Sequence, residues 1–364
     1  TKTGFYTGGR LYSMSNTLPL LQFPPLSLID KLRLGFTIFY ASRIKNWKRL
    51  ESIPVADWLR KWSGKNTFEK IWLPLLRAKL GENYKRTSAA FIWSTIQRMY
   101  AARRTGMKKE MFGYVEGGYQ RILEHFIQHL IDQGVELKTN YRVINIKSGE
   151  NSQVVVENNS GAFDEFDEVI LTVPSPIAAR MCPELSLAEQ NLLHKVEYLG
   201  VVCVSVLLKK SLSPFYVTNI TDDSPFTGII EMTNIVDPAH FSGHHLVYLP
   251  KYLKKSDPVF QWTDEQIKKH FWEHLQKLYD HLKEEDLVCI QVARAPEVFA
   301  LSTLNYSSDL PPVSTSIQGV HILNAAHIIN GTLNVNETLQ LAHKALPEIL
   351  QKANNPITYS KAYE

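Results

Sequence analysis

The stretch Gly319-Val320-His321-Ile322-Leu323-Asn324-Ala325-Ala326-His327, continued by Gly331-Thr332-Leu333-Asn334-Val335-Asn336-Glu337-Thr338, constrains this chain more than any other. An apolar run, a small-residue turn and a helix start, in that order, predict strand, tight turn and helix. Such an arrangement aims backbone N–H groups and the positive end of a helix at one point, which suits an anionic ligand or a nucleotide. Nowhere before it does a strand-like run lead into G-x-G-x-x-G, the turn that cradles a pyrophosphate. The pattern therefore predicts half of a nucleotide site.

At 364 residues the chain exceeds one typical core, so two lobes are expected. Hydrophobic residues make up 44% and charged residues 21%, the balance of a soluble globular protein. The net charge of +4 is small, with Lys and Arg scattered apart from short runs such as Arg103-Arg104 and Lys108-Lys109. That distribution argues against a nucleic-acid partner. Cys182, Cys203 and Cys289 are odd in number and lack a C-x-x-C pair, which fits buried thiols in the reducing cytoplasm. No apolar run reaches the roughly 18 to 20 residues that cross a bilayer; the longest, Leu199–Leu208, suits a buried strand. The opening Thr1–Tyr6 reads as a strand entering a Gly8-Gly9 hairpin without Met or signal peptide. An upstream segment in the full gene product is the expectation.

After the hairpin over 5–13, Leu18–Tyr40 is rich in Leu, Phe and Pro, with a helix starting near Ser27 or Asp30. Helices are predicted around 55–63, 66–79 and 87–104, with Trp58, Trp62, Phe68, Trp72, Phe91 and Trp93 as their core. Beyond Gly117-Gly118, the positions Tyr119, Ile122, Leu123, Phe126, Ile127, Leu130 and Ile131 follow helical spacing, and Gly134 stops the helix. Strands are predicted at 135–138, 142–147, 153–157 and 167–174, followed by a short helix after Ser175-Pro176. Runs at 199–208, 215–220, 228–235 and 245–249 predict a mostly antiparallel sheet. Thr263-Asp264-Glu265-Gln266 is a capping box opening a helix that places Ile267, Phe271, Leu275, Leu278 and Leu282 on one face. A strand at 287–293 precedes a loop carrying Pro296, Pro311 and Pro312.

Three segments together carry a family resemblance: Gly117-Gly118-Tyr119-Gln120-x-x-Leu123, then Val135-Glu136-Leu137 to Arg142-Val143-Ile144-Asn145-Ile146, then Asp167-Glu168-Val169-Ile170-Leu171-Thr172-Val173-Pro174. With Lys2–Tyr6, Gly9–Tyr12 and Leu26–Arg33, this order resembles the flavin-dependent amine oxidase superfamily, which includes protoporphyrinogen oxidases and phytoene-desaturase-like proteins. The similarity spans nearly the whole chain, although each motif alone is weak. It implies an α/β (α+β) fold: a partial FAD-binding, Rossmann-like lobe and a substrate lobe of mostly antiparallel sheet and helices. The substrate lobe would take 1–112 and 179–300, the FAD lobe 113–178 and 301–350, and 351–364 would be a tail. In the family a G-x-G-x-x-G unit precedes the region seen here, so FAD is expected to be absent from this chain alone.

The resemblance implies cofactor contacts at matching positions. Val143 would offer backbone groups to the adenine, and Thr172, Val173 and Pro174 would flank the same nucleotide. Asn324, Ala325 and Ala326 in the closing turn, with Asn334, Val335 and Asn336 at the helix start, would face the flavin. Many members carry Gly-Asp in that turn to bind a ribityl hydroxyl; here Asn324 stands as the remaining hydrogen-bonding group.

Glu231, Asn234 and Arg294 interrupt or end apolar strands, positions that can line a pocket, although strand alternation also explains them. They are the substrate candidates. His240, His244 and His245 with Asp237 invite a metal site, but Pro238 and Gly243 mark a loop between strands, so they read as a surface turn rather than a metal site. His270 and His274 share a helix face without the H-E-x-x-H order, so no metal is expected. No catalytic triad or paired acid set stands out, which suits an enzyme whose cofactor carries the chemistry. The reading is an FAD-dependent oxidoreductase moving hydride from a C–N or C–C bond of a small, lipophilic molecule to flavin N5. The alternative is a non-catalytic binding module derived from the substrate lobe. Leu18–Tyr40 also fits a peripheral membrane contact.

Overall fold

The computed structural model describes residues 2–13, 24–101, 113–329 and 333–352. The chain runs through β1 (Thr3–Thr7), β2 (Arg10–Ser13) and the helices α1 (Leu28–Arg43), α2 (Val55–Ser63), α3 (Leu73–Leu80), α4 (Ala89–Ala101) and α5 (Gly118–Asp132). Next come β3 (Val143–Ser148), β4 (Val154–Asn158), β5 (Phe163–Phe166), β6 (Val169–Leu171), α6 (Ser175–Met181) and α7 (Leu187–Lys195). The remainder is β7 (Tyr198–Leu208), β8 (Val217–Ile220), β9 (Gly228–Glu231), β10 (His245–Lys254), α8 (Asp264–Leu278), β11 (Leu287–Ala300), β12 (Val320–Ile322) and α9 (Val335–Lys352). Two compact units result: Thr1–His129 with Tyr198–Val298 and Ser302–Leu304, and Leu130–Glu197 with Phe299–Leu301 and Asn305–Glu364.

The first unit is built on a seven-stranded sheet in the order β11-β7-β10-β9-β8-β1-β2. It is mostly antiparallel, with β1 and β8 parallel. Strand alternation explains its core: Val202, Val204, Val206 and Leu208 of β7 and Val247 and Leu249 of β10 all point to one face. Ile267, Phe271 and Leu275 of α8 fill that face, each fully buried side chain contributing about 1.5 to 3 kcal/mol. The capping box at Thr263 forms as its sequence requires: the side chain accepts from Gln266 N, and Gln266 answers at the Thr263 amide. The helical part of this unit buries Trp58, Phe68, Phe91 and Trp93, while Trp62 and Trp72 are half-buried.

The second unit holds the antiparallel meander β3-β4-β5 and the pair β6–β12. Ile146, Val154, Leu171, Val320 and Ile322 pack there against Ala178, Cys182 and Leu193 of the α6–α7 region. Burial, then the Glu184 carboxylate, pushes the Cys182 thiol up to about 12, so this cysteine is an inert core group.

Several expectations are corrected. No strand forms over 135–138, which turns out of Gly134 at φ 84°. The β-run at 228–235 ends at Glu231 in a 3-10 turn, whereas 245–249 extends to Lys254 and 287–293 to Ala300. The last tolerates Pro296 because β11 is an edge strand, where a missing N–H costs nothing on the open side. The helix over 66–79 continues through a π turn at Phe68–Trp72 into Pro74. Strand β5 and helix α7 were not expected; residues 179–197 belong to the second unit. The tail from 353, Leu18–Phe23, Arg103-Arg104, Lys108-Lys109 and Gly331-Thr332 lie outside the described residues.

Candidate functional site

The expected strand–turn–helix forms in the second unit. β6 and β12 lie parallel, with Val169 opposite Val320, Ile170 opposite His321 and Leu171 opposite Ile322. Gly319 permits the approach. Its φ is +74°, and a Cβ there would stand 2.6 Å from the Asp167 carbonyl oxygen and 2.9 Å from Val154 Cγ2. Its own carbonyl accepts from Val169 N at 2.8 Å, locking the strands at their start.

At the carboxyl ends, Leu323 N donates to Leu171 O at 2.9 Å. Asn324 then laces the two exits together: Nδ2 donates to Val173 O at 2.8 Å and lies 3.2 Å from Ser175 Oγ, and Oδ1 accepts from Ala326 N at 3.0 Å. Tyr306 donates its hydroxyl to Ala326 O at 2.8 Å. His327 sits with Nε2 3.2 Å from Pro311 O and Nδ1 3.3 Å from Asn324 N. Desolvation holds its imidazole below the ordinary value of 6.5, against the opposing pull of the Pro311 and Asn324 carbonyls. Asn334 caps α9 by accepting from Glu337 N at 3.0 Å, with Val335 and Asn336 exposed in the first turn. The carboxyl ends of parallel strands and the N-termini of helices are each places where α/β folds hold ligands.

Among the expected cofactor positions, the structure brings Thr172, Val173 and Pro174 together with Asn324, Ala325 and Ala326 through the Asn324 bonds. Thr172 is exposed, and Val173, Pro174 and Ala325 are half-buried. Asn324 is 5% exposed, and its amide holds the turn through Val173, Ser175 and Ala326. Ala326 is buried with both backbone groups engaged. Val143 opens β3 at a register break and packs against the core of this unit. Beside these, His321 places Nε2 2.7 Å from Glu168 Oε2, while its buried Nδ1 has no partner.

The three substrate candidates serve local structure in the first unit. Glu231 accepts from Ser211 Oγ at 2.6 Å and from the amides of Leu212 and Ser213 at 3.1 Å. Burial pushes its carboxyl up against these bonds. Asn234 donates to Ser213 O and Phe215 O, both at 3.0 Å, so it holds the same loop. Arg294 donates to Asp264 Oδ1 at 2.6 Å and Trp262 O at 2.8 Å, anchoring the start of α8.

Sequence reasoning missed another set. On the sheet face away from α8, Tyr248 and Tyr252 of β10 stand opposite Ser205 and Val201 of β7, with Cys203 between them. These side chains are half-buried. The Lys79 ammonium of α3 lies 4.7 Å above the Tyr252 ring, and burial, then Arg98, lowers its pKa. The four-residue spacing of the tyrosines on a strand was the available signal. Among the described residues no group of His, Cys, Asp and Glu is placed to hold a metal.

Solved structures overlay on the chain at low identity. A protein from Exiguobacterium sp. 255-15 named for protoporphyrinogen oxidase shares 16% identity at a TM-score of 0.65, covering 96% of this chain and 80% of its own. Putrescine oxidase bound to putrescine shares 15% at 0.66, covering 96% and 81%. Reduced UDP-galactopyranose mutase shares 12% at 0.67, covering 98% and 80%. Identities this low show the fold alone, and the three activities differ, as expected where function resides in the site. No curated protein matches the chain. A family model does, from residue 5 to residue 317, a span that takes in β6 and all of the seven-stranded sheet but the first two residues of β1, and ends just before β12. The chain belongs to the flavin-containing amine oxidoreductase family.

Proposed function

We propose that this protein is an FAD-dependent oxidoreductase that takes hydride from a C–N or C–C bond of a small, lipophilic substrate. The carrying observation is the edge formed by the exits of β6 and β12, which Asn324 ties together. The residues present fit one side of a dinucleotide. Thr172–Pro174, Ala325 and the first turn of α9 would hold it through backbone groups, with Val143 nearby in the same unit. The bound flavin would supply the hydride acceptor; the chain supplies position and electrostatics. The buried Nδ1 of His321, on the same strand pair, has no partner.

The substrate would meet the face carrying Tyr248, Tyr252 and Cys203, where half-buried aromatic rings offer an apolar wall and Lys79 a cation. A further support is α5. Its apolar positions Tyr119, Ile122, Leu123, Phe126, Ile127 and Ile131 are exposed in this chain. We propose that a dinucleotide-binding segment with its own glycine turn covers that stripe, and that tight FAD retention needs it. The test is visible flavin absorbance after gel filtration, for this chain and for the full gene product, each incubated with FAD. Retention by the full product supports the reading; a colourless full product overturns it.

A further inference from the structure

Helix α1 turns apolar residues outward as well as inward. Leu34, Thr37 and Ala41 are buried within the first unit. On the opposite side Leu28, Ile29, Leu32, Phe36 and Phe39 are between 49% and 70% exposed. Their spacing places them on a single stripe. The next residue on it, Arg43, lays its guanidinium 5.0 Å from the Phe39 ring. A helix apolar on both sides needs a second apolar surface, and its own unit covers one side.

The rim of the stripe is aromatic and cationic. Phe36 stacks on Tyr40 at 6.2 Å, Tyr40 lies 4.2 Å from Trp62, and the Lys61 ammonium sits 5.7 Å from the Trp62 ring. Although basic residues look scattered along the sequence, residues 28–65 hold nine Lys and Arg against three Asp and Glu, a net +6 in a chain whose total is +4. The remainder of the chain is therefore net −2. The acids are muted: Asp30 closes a capping box and accepts from Asn66, Glu51 is buried, and Asp57 pairs with Arg60 at 3.4 Å. Arg43, Lys45, Lys48, Arg49, Arg60, Lys61 and Lys65 are exposed. The exposed stripe of α5 has no such rim; within that helix Arg121 faces Glu124 and Asp132 in the charge count.

An apolar stripe bordered by Trp, Tyr and cations matches the boundary between headgroups and acyl chains, and the excess of cations matches anionic lipid. We propose that α1 docks this protein, lying in the plane, on membrane surfaces that contain anionic lipid. The helix has 16 residues, about 24 Å of length. No helix among the described residues is long and apolar enough to cross a membrane.

The test is co-sedimentation of the full chain with phosphatidylcholine vesicles, with and without phosphatidylserine. Pelleting is expected with phosphatidylserine, weakening as salt rises. The double variant Leu32→Ser, Phe36→Ser lowers the bound fraction about tenfold or more. Lys45→Glu with Lys48→Glu and Arg49→Glu weakens binding and flattens its salt dependence. Leu123→Ser with Phe126→Ser on α5 leaves binding unchanged. All these positions are exposed, so circular dichroism should show intact folding. Absence of pelleting with phosphatidylserine at low salt overturns the proposal, as does pelleting that survives the α1 double variant. A dimer dissolved by that variant, without vesicle binding, assigns the stripe to a second copy of the chain and also overturns it.

Discussion

The Asn324 side chain donates to the Val173 carbonyl at 2.8 Å across 151 positions of sequence, tying the exit of β12 to the exit of β6. Asn324→Asp is the informative change, because it replaces the donating amide with a carboxylate oxygen. An aspartate keeps an acceptor for Ala326 N but turns a second oxygen towards Val173 O. The variant should lose about 1 to 3 kcal/mol at neutral pH. Repulsion by the carbonyl raises the folded pKa of the new carboxyl above its unfolded value, so the penalty grows as pH rises through that window and shrinks in acid. Urea melts at neutral and acid pH measure it; a uniform loss at both would contradict the arrangement.

Much of this geometry was legible beforehand. The order of residues at 319–338 announced strand, turn and helix, and the apolar run Leu199–Leu208 announced a buried strand. Bond partners far apart in sequence were not legible. Nothing local to Asn324 says that Val173 and Ser175 will stand beside it, and a free amide therefore looked available for ligand. The loop bonds of Glu231 and Asn234 were hidden for the same reason, since polar residues on strands mark a pocket or a loop anchor alike until the 211–215 loop is in place. The charge of α1 was hidden differently: its basic residues are dispersed along sequence and gather only through the packing of α1 with α2.

His327 predicts a pH response. Its folded pKa is lowered from 6.5 by burial, so the folded state takes up a proton less readily than the unfolded one. Stability is then full above the unfolded value and lost as pH falls below 6.5 towards the folded value. Thermal melts across that range should show a declining midpoint, and His327→Gln should flatten the part due to this residue. An unchanged slope in His327→Gln would remove the assignment.

Gly319 carries the parallel pairing. With φ at +74° and a Cβ only 2.6 Å from the Asp167 carbonyl, Gly319→Ala combines backbone strain with a clash against main chain that cannot swing away. The expected loss is about 2 to 4 kcal/mol, accompanied by faster amide exchange at Val169, whose N–H bonds to the Gly319 carbonyl. Gly8→Ala is the control: its φ is also positive but nothing lies near its Cβ, so it should cost distinctly less.

Glu231→Ala separates anchoring from substrate contact. The wild-type carboxylate satisfies Ser211 Oγ and the amides of Leu212 and Ser213; removal leaves the buried Leu212 amide and a cavity without an acceptor. A loss of about 2 to 4 kcal/mol is expected. With the group acting as a loop anchor, KM of the folded protein is expected to stay near wild type once a substrate is in hand. The raised folded pKa adds a signature. Stability from this group is greatest below its ordinary value of 4.5 and falls as pH rises through the raised folded value. In Glu231→Ala that fall should vanish. A large rise in KM with unchanged melting would instead return Glu231 to the substrate site.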